Sequence, residues 1–94
     1  LGGSDLIDGS GKLTLLVNGG DGNDFLDLEN TAVGSKTTLL GGNGEDLLTG
    51  GAGNDSLDGG AGDDTLDGGE DGDTLYGDGG QDTCSAGESV KKCE

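Results

Sequence analysis

Apolar residues recur at a fixed interval along the second half of the chain. Written in nines from Gly41, the chain gives five consecutive units without insertion or deletion: GGNGEDLLT, GGAGNDSLD, GGAGDDTLD, GGEDGDTLY and GDGGQDTCS. One apolar side chain between polar neighbours, as in Thr-Leu-Asp, is typical of a strand that buries alternate residues. We therefore predict a short strand over positions 7 to 9 of every unit. The inward-pointing eighth position is held by Leu48, Leu57, Leu66, Leu75 and Cys84.

A glycine-rich turn precedes each predicted strand. Glycine opens every unit and also holds the fourth position, except at Asp71 in the unit that starts at Gly68. Glycine costs roughly 1 kcal/mol relative to alanine inside a helix, which argues against helices in this region. It also tolerates positive φ, so the turns can bring carbonyl oxygens together. The sixth position of each unit is aspartate: Asp46, Asp55, Asp64, Asp73 and Asp82.

The N-terminal region follows the same pattern less regularly. Residues 19–27, GGDGNDFLD, form a complete unit with Asp24 and Leu26 in the sixth and eighth places. The opening GGSDLID looks like a unit shortened by two residues, with Asp5 and Ile7 in the key places. We therefore expect the nonapeptide pattern to begin before the regular array.

A degenerate unit connects these two regions. Residues 32–40, AVGSKTTLL, keep Leu39 at the eighth place but have Thr37 where aspartate is expected. This alignment leaves residues 28–31 unassigned, and we predict that they form a bulged loop.

Two cysteines lie near the end of the chain. Cys84 and Cys93 could close a small loop in an oxidising compartment and pin the tail across the open end of the fold. Two unrelated free thiols are the alternative.

The pattern divides the chain into four parts. They are a degenerate N-terminal cap at 1–18, a first repeat plus a degenerate repeat with an inserted loop at 19–40, regular repeats at 41–85, and a C-terminal cap at 86–94.

Two units of nine residues would complete one coil of 18 residues, so successive units alternate between two edges. The unit at 41 then lies over the unit at 59, the unit at 50 over that at 68, and the unit at 59 over that at 77. Each interior aspartate would face a gap above and a gap below.

Composition alone would predict disorder. Hydrophobic residues make up 28% of the 94 residues, the net charge is −16, and there are 24 glycines and no proline. A chain this polar and this charged buries too little apolar surface to offset the conformational entropy of ordering. Folding therefore needs another source of free energy.

The charge balance narrows the possible partners. Twenty acidic residues face four lysines, so a basic surface for nucleic acid or anionic lipid is not expected. No apolar run is long enough to insert into a membrane. There is no histidine, no Ser-His or Cys-His pair and no Walker-type lysine, so we do not expect an enzyme.

The turns are instead suited to a hard cation. Calcium takes six to eight oxygen ligands at roughly 2.3–2.6 Å, more than one turn can supply but within reach of two stacked turns. Cations between facing carboxylates would reverse the repulsion along each edge, so binding and folding would become one equilibrium. Without metal we expect a disordered chain.

The repeat units resemble the glycine-rich nonapeptide GGxGxDxUx of the RTX (hemolysin-type) calcium-binding repeats. The resemblance covers residues 19–27 and 41–85. It implies an all-β, right-handed parallel β-roll, a β-solenoid with 18 residues per coil. In this family calcium lies between a turn and the turn one coil later. The earlier turn supplies the carbonyls of positions 2 and 4 and its aspartate, and the later turn supplies the carbonyls of positions 1 and 3 and its aspartate.

Transferred to this chain, the resemblance implies four cation sites, and about 3–5 calcium ions in all. A fifth site above the unit at 50 would have Thr37 in place of aspartate, and we do not expect it to be fully occupied. The four sites use Gly42, Gly44 and Asp46 with Gly59, Ala61 and Asp64; Gly51, Gly53 and Asp55 with Gly68, Glu70 and Asp73; Gly60, Gly62 and Asp64 with Gly77, Gly79 and Asp82; and Gly20, Gly22 and Asp24 with Gly41, Asn43 and Asp46.

The function implied by the resemblance is structural. We expect a calcium-binding module of a secreted, extracellular protein that folds on meeting calcium and assists export or stability of a parent protein N-terminal to it. An adhesin module that contacts a surface or glycan is one alternative, and an accessory part of a secreted hydrolase or toxin is another. A monomer is expected.

Overall fold

The computed structural model describes residues 6–11, 14–31, 36–85, 89–91 and 93. Predictions for Asp5 and for residues 86–88 of the C-terminal cap fall outside this part of the chain. No helix among the described residues is long and apolar enough to cross a membrane. The strands are β1 (Leu6–Gly11), β2 (Thr14–Asp21), β3 (Phe25–Thr31), β4 (Lys36–Asn43), β5 (Leu47–Gly51), β6 (Ser56–Ala61), β7 (Thr65–Gly69), β8 (Thr74–Gly79), β9 (Thr83–Ser85) and β10 (Ser89–Lys91).

The strands alternate between two parallel sheets. Odd-numbered strands form one sheet in the order β1-β3-β5-β7-β9, and even-numbered strands form the other in the order β10-β8-β6-β4-β2. In the regular array, partners lie 18 residues apart, as between Leu48 and Leu66 in one sheet and Leu57 and Leu75 in the other. Two nine-residue units therefore complete one coil, which confirms the predicted parallel β-solenoid.

A single layer of apolar side chains fills the space between the sheets. The molecule is 14 Å thick along its shortest axis, which leaves room for only one such layer because packed sheets lie roughly 10 Å apart. Val17 and Leu28 also belong to this core. The predicted inward leucines are confirmed, with no exposed surface at Leu26, Leu39, Leu48, Leu57, Leu66 and Leu75.

The strands are longer than the three residues that the sequence predicts. β6, for example, continues from Ser56 through Gly59 and Gly60 to Ala61. The ladder runs on through the glycines that open the next unit, as in the pairing of Gly42 with Gly60. Each turn is therefore only three or four residues long between strands.

Residues 28–31 extend β3 and are not the loop that the sequence predicts, but the register of β3 against β1 shifts as at a β-bulge, because Asp27 pairs with Asp8 and Asn30 with Ser10. Leu26 and Leu28 are both fully buried, so the alternation of the strand continues past the ninth position of the unit. The longer coil is visible as a spacing of 22 residues between Asp24 and Asp46, where the regular array has 18.

The C-terminal end is closed by a disulfide between Cys84 and Cys93. Cys84 takes the eighth place of its unit, pairs with Leu66 and packs against the core. After it the chain crosses to the other sheet, where β10 pairs with β8. The disulfide therefore links β9 of one sheet to Cys93, two residues after β10 of the other.

Candidate metal centre

The glycine-rich turns stack in two columns, one along each edge of the solenoid. We call the column of turns 22–24, 44–46, 62–64 and 80–82 the four-turn edge. The column of turns 52–55 and 70–73 is the two-turn edge. Backbone hydrogen bonds join neighbouring turns within each column. This stacking confirms that successive units alternate between two edges.

The sixth-position aspartates form a ladder through each column. One carboxylate oxygen of each aspartate accepts the backbone N–H of the sixth residue one coil earlier. On the four-turn edge, Oδ1 of Asp64 accepts from Asp46, and Oδ1 of Asp82 accepts from Asp64, both at 2.9 Å. The other bonds of this kind, all at 2.8 Å, run from the N–H of Asp24 to Asp46, from the N–H of Asp55 to Asp73 and from the N–H of Thr37 to Asp55.

The second carboxylate oxygen of these aspartates has no hydrogen-bond partner. The side chains are almost completely buried, with 1% exposed surface at Asp64 and Asp73. Burying a charged oxygen without a partner is costly, and such atoms call for an explanation such as a bound ion. The oxygens concerned are Oδ2 of Asp46, Asp55, Asp64, Asp73 and Asp82.

The oxygens of Asp46, Asp55 and Asp64 each face a small space that only glycine leaves open. A Cβ atom at Gly41 would lie 2.5 Å from Oδ2 of Asp46 and 2.6 Å from the carbonyl oxygen of Gly59. These are closer than real Cβ contacts, so any side chain at the first position would fill this space. The carboxylate of one turn and the first carbonyl of the next turn therefore point toward the same space. On the two-turn edge, a Cβ atom at Gly50 would lie 2.7 Å from Oδ2 of Asp55 and 2.8 Å from the carbonyl oxygen of Gly68.

Further carbonyl oxygens point from each turn toward the next. A side chain at Gly60 would collide with the carbonyl oxygen of Gly42, and one at Gly62 with that of Gly44. Both positions have positive φ, 95° and 125°. The third-position carbonyl of Ala61 accepts the N–H of Gly44 at 2.8 Å, but a carbonyl has a second lone pair for another partner.

The turn pair that spans the long coil has the same geometry. The carbonyl oxygen of Gly41 lies 2.8 Å from the Cβ position of Gly19, and the carbonyl of Asn43 accepts the N–H of Gly22 at 2.9 Å. The extra residues in β3 therefore leave the stack of turns intact. On the two-turn edge the backbone hydrogen bond between turns runs in the opposite direction. There the N–H of Glu70 in the later turn donates to the carbonyl of Gly51 in the earlier one, at 2.9 Å.

The donor set is made only of oxygen atoms. Among the described residues, no cluster of three or more His, Cys, Asp or Glu side chains could hold a metal by itself. A cation in these gaps would therefore use backbone carbonyls together with a pair of carboxylates. Hard oxygen donors in such numbers suit calcium, whereas zinc and copper favour nitrogen and sulfur.

The electrostatics of the ladder also favour a cation. Burial raises the pKa of Asp64 and of Asp73 from the ordinary 3.8 to about 6, and neighbouring carboxylates in the same column add to this. The hydrogen bond each accepts from the preceding coil opposes the shift. Burial also raises the pKa of Asp46. Positive charge between the turns would relieve this penalty on the ionised form.

Thr37 occupies the sixth place directly above Asp55 and changes the ladder there. Its N–H and its hydroxyl both donate to Oδ1 of Asp55, at 2.8 and 2.7 Å. Thr37 is 1% exposed, so this is a buried hydrogen bond between a hydroxyl and a carboxylate. A neutral donor stands here where the other coils have a second carboxylate.

The sequence analysis missed a second ladder at the fifth position. Oδ1 of Asn23 accepts the N–H of Glu45 at 2.9 Å. The recurrence of Asn or Asp at this position in the units at 19, 50 and 59 was the available signal. The other two bonds of this ladder run from the N–H of Gly72 to Asn54 at 3.0 Å and from the N–H of Gln81 to Asp63 at 2.9 Å.

Comparison with known families agrees with this geometry. The model of the RTX calcium-binding nonapeptide repeat matches in four copies, over residues 16–30, 40–75 and 58–88, which together exceed half of the chain. It identifies a calcium-binding repeat module, and no catalytic domain is found in this chain. No curated protein and no solved structure matches significantly. The chain belongs to the RTX calcium-binding nonapeptide repeat family, and its fold is a calcium-binding β-roll.

Proposed function

We propose that calcium ions between the stacked turns fold this chain, so that it acts as a calcium-dependent stabilising module of a secreted parent protein. The observation that carries this proposal is the set of buried carboxylate oxygens without hydrogen-bond partners, Oδ2 of the sixth-position aspartate in five of the six stacked turns. Oδ2 of Asp46 lies beside the same Cβ position as the carbonyl oxygen of Gly59 in the next turn, and Oδ2 of Asp55 is placed in the same way with the carbonyl oxygen of Gly68. Calcium would satisfy both groups at once.

The proposed ligands are the carbonyl and carboxylate oxygens of four turn pairs. Three pairs share the four-turn edge, where Asp46 and Asp64 each border two gaps and Asp82 borders one. The turn pairs are 20–24 with 41–46, 42–46 with 59–64, 60–64 with 77–82 and, on the two-turn edge, 51–55 with 68–73.

Binding and folding are coupled in this proposal because the ligands come from different coils. In the unfolded chain the two carboxylates of one site are 18 or 22 residues apart in sequence. In the folded chain they are stacked, and their repulsion is large without a counter-ion. Calcium therefore stabilises the folded state by its whole binding free energy.

The expected affinity fits a protein that is exported before it folds. RTX repeats are typical of secreted proteins. Extracellular calcium modules bind at roughly 10⁻⁴–10⁻³ M, well above the free calcium of a cytosol. The chain would then stay unfolded inside the cell and order outside it, where it stabilises the domain attached to it.

A calcium titration followed by far-UV circular dichroism tests the proposal. We expect β-sheet signal to appear cooperatively with calcium and not with the same concentration of magnesium, which demands a stricter octahedral geometry. Asp64→Asn should raise the calcium midpoint more than Asp82→Asn, because Asp64 borders two gaps. Glu45→Gln is the matched control, since Glu45 is an exposed acid in a turn of the same edge.

Two results would contradict the proposal. One is a full β-sheet signal in EGTA, which would show that the metal is unnecessary for folding. The other is an equal shift of the midpoint for Asp64→Asn, Asp82→Asn and Glu45→Gln, which would show that only the overall charge matters.

A further inference from the structure

Asn43 is followed by glycine at the point where β4 ends and the next turn begins. An Asn-Gly pair is prone to deamidation, because glycine has no side chain to hinder the attack of its backbone nitrogen on the asparagine amide. Asn43 is exposed, so water reaches the amide. The other Asn-Gly pair of the chain, Asn18-Gly19, lies within β2, and every remaining asparagine is followed by aspartate or threonine.

The reaction needs only this pair of residues and water. The backbone nitrogen of Gly44 loses its proton to the solvent and attacks Cγ of Asn43, while Nδ2 takes up a proton and leaves as ammonia. Water then opens the resulting cyclic imide at either of its carbonyl groups. Opening at Cγ gives aspartate. Opening at the backbone carbonyl gives isoaspartate, in which the main chain gains a methylene group.

In the folded chain the two reacting groups are held by neighbouring coils on opposite sides. The N–H of Gly44 donates to the carbonyl of Ala61 in the next coil at 2.8 Å. Nδ2 of Asn43 donates to Oδ1 of Asp21 in the preceding coil, also at 2.8 Å. Attack requires the Gly44 nitrogen to give up its proton and approach Cγ, so both hydrogen bonds must be broken first. Stacked coils therefore protect Asn43 from deamidation.

Asn43 also contributes its carbonyl to the cation site proposed between turns 20–24 and 41–46. We propose that Asn43 is a deamidation site that the calcium-bound fold protects and that calcium loss exposes, and that its deamidation permanently weakens this cation site. The proposal rests on the proposed function, since calcium is what keeps the coils stacked. Adding calcium again cannot reverse the reaction, because the ammonia has left.

Both products disturb the contacts of residue 43. In aspartate a carboxylate oxygen replaces the Nδ2 donor and would face Oδ1 of Asp21 across the 2.8 Å that a hydrogen bond now spans. In isoaspartate the backbone carbonyl, a proposed ligand, becomes a side-chain carboxylate, and the added methylene group displaces Gly44. The N–H of Gly44 is bonded to Ala61, so this displacement also disturbs the contact with the next coil. Either product therefore weakens calcium binding between these turns.

Peptide mass spectrometry of the whole chain after ageing tests the site. One sample is kept in EGTA and another in saturating calcium, in the same mildly alkaline buffer. We expect Asn43 to deamidate in EGTA and calcium to slow this by about tenfold or more, because the reaction then waits for local opening of the coils. Asn23 and Asn54, each followed by aspartate, are internal controls that should stay intact in both samples. Equal rates at Asn43 with and without calcium would overturn the inference.

Far-UV circular dichroism then measures the consequence. The chain aged in EGTA should need about twofold more calcium to fold, or more, since one of the proposed sites is weakened. Asn43→Gln is the matched control: it keeps an amide, but its longer side chain would have to close a larger ring, so ageing should leave its calcium midpoint unchanged.

Two outcomes of this measurement would overturn the inference. One is an unchanged midpoint in the aged chain although Asn43 is deamidated. The other is an equal shift in aged Asn43→Gln, which would assign the damage to another residue such as Asn18. If the fresh chain does not fold with calcium, the proposed function itself fails.

Discussion

The two edges of the solenoid have the same fold and different chemistry at their sixth positions. On the four-turn edge every described gap lies between two aspartates, from Asp24 and Asp46 to Asp64 and Asp82. On the two-turn edge Asp55 faces an aspartate on one side and Thr37 on the other. A backbone N–H donates to the next coil's aspartate in both cases: Thr37 N–H to Asp55 and Asp55 N–H to Asp73, each at 2.8 Å.

This difference separates two ways of holding coils together. A backbone N–H and a hydroxyl from Thr37 satisfy one oxygen of Asp55 without any added charge. Two facing carboxylates cannot do this, because both are acceptors when ionised. Under the proposed function, the threonine at the sixth position therefore removes one of the two facing carboxylates that a cation would neutralise, and its hydroxyl adds a hydrogen bond instead.

The largest effect is expected when the space in front of the carboxylate is filled. In Gly41→Ala the new methyl group would lie 2.5 Å from Oδ2 of Asp46 and 2.6 Å from the carbonyl of Gly59. Overpacking of this kind costs about 3 kcal/mol, and the same methyl group would displace a cation. We expect calcium-dependent folding to be largely lost, as measured by the calcium midpoint of the circular dichroism signal.

Gly79→Ala is the control for this prediction. Gly79 also belongs to the four-turn edge, but a Cβ atom there would be 3.8 Å from its nearest neighbour, the carbonyl oxygen of Gly60. We expect no more than a small change. If Gly41→Ala is as harmless as Gly79→Ala, the space in front of Asp46 does not hold a ligand.

Acidification is expected to affect both edges alike in the absence of metal. The pKa is raised to about 6 for Asp64 on one edge and for Asp73 on the other, from an ordinary 3.8. The folded state thus binds protons more tightly than the unfolded state, and this contribution to stability is lost as the pH rises from about 4 through 6. Lowering the pH from 7 to 5 should partly restore folding.

Circular dichroism of the metal-free chain at pH 7, 6 and 5 measures this response. With calcium present the direction reverses, because protons compete for the same carboxylates and the calcium midpoint should rise. A folded signal that declines on acidification in metal-free buffer would contradict the arrangement of buried carboxylates.

A smaller effect is expected at the junction between Thr37 and Asp55. Thr37→Val keeps the shape of the side chain and removes the hydroxyl that Asp55 accepts at 2.7 Å. Oδ1 of Asp55 keeps the N–H of Thr37 in this variant, so the cost is that of one hydrogen bond to a charged group, about 1.5–3 kcal/mol. Urea unfolding in saturating calcium should show this loss with an unchanged number of bound ions. A loss of bound calcium instead would mean that Thr37 belongs to a cation site.

The fold could be predicted from the sequence because leucine and aspartate each recur every nine residues and each has one structural role. A leucine every nine residues can only line one side of a short strand, and Leu57 and Leu75 are paired and fully buried as expected. The aspartates at the same period fall at the turns, and Asp64 and Asp82 are joined one coil apart. Both follow from a repeat of nine residues in a coil of eighteen.

The remaining features depend on contacts that periodicity does not encode. Division of the chain into nonapeptides left residues 28–31 unassigned, and a loop was predicted there. Leu26 and Leu28 nevertheless show the alternation of apolar residues that continues in β3. The hydroxyl of Thr37 was treated as a missing ligand, and its bond to Asp55 depends on a partner 18 residues away. For Cys84 and Cys93 the sequence left two alternatives open, and the structure has the disulfide.

The central claim is that metal, not the apolar core, makes this chain compact, and small-angle X-ray scattering tests it most directly. The folded chain has a Cα radius of gyration of 11.5 Å. An unfolded chain of 94 residues should measure about 30 Å. We predict a value near the larger figure in EGTA at neutral pH and near the smaller one in saturating calcium. A compact particle of the folded size in EGTA would contradict the account.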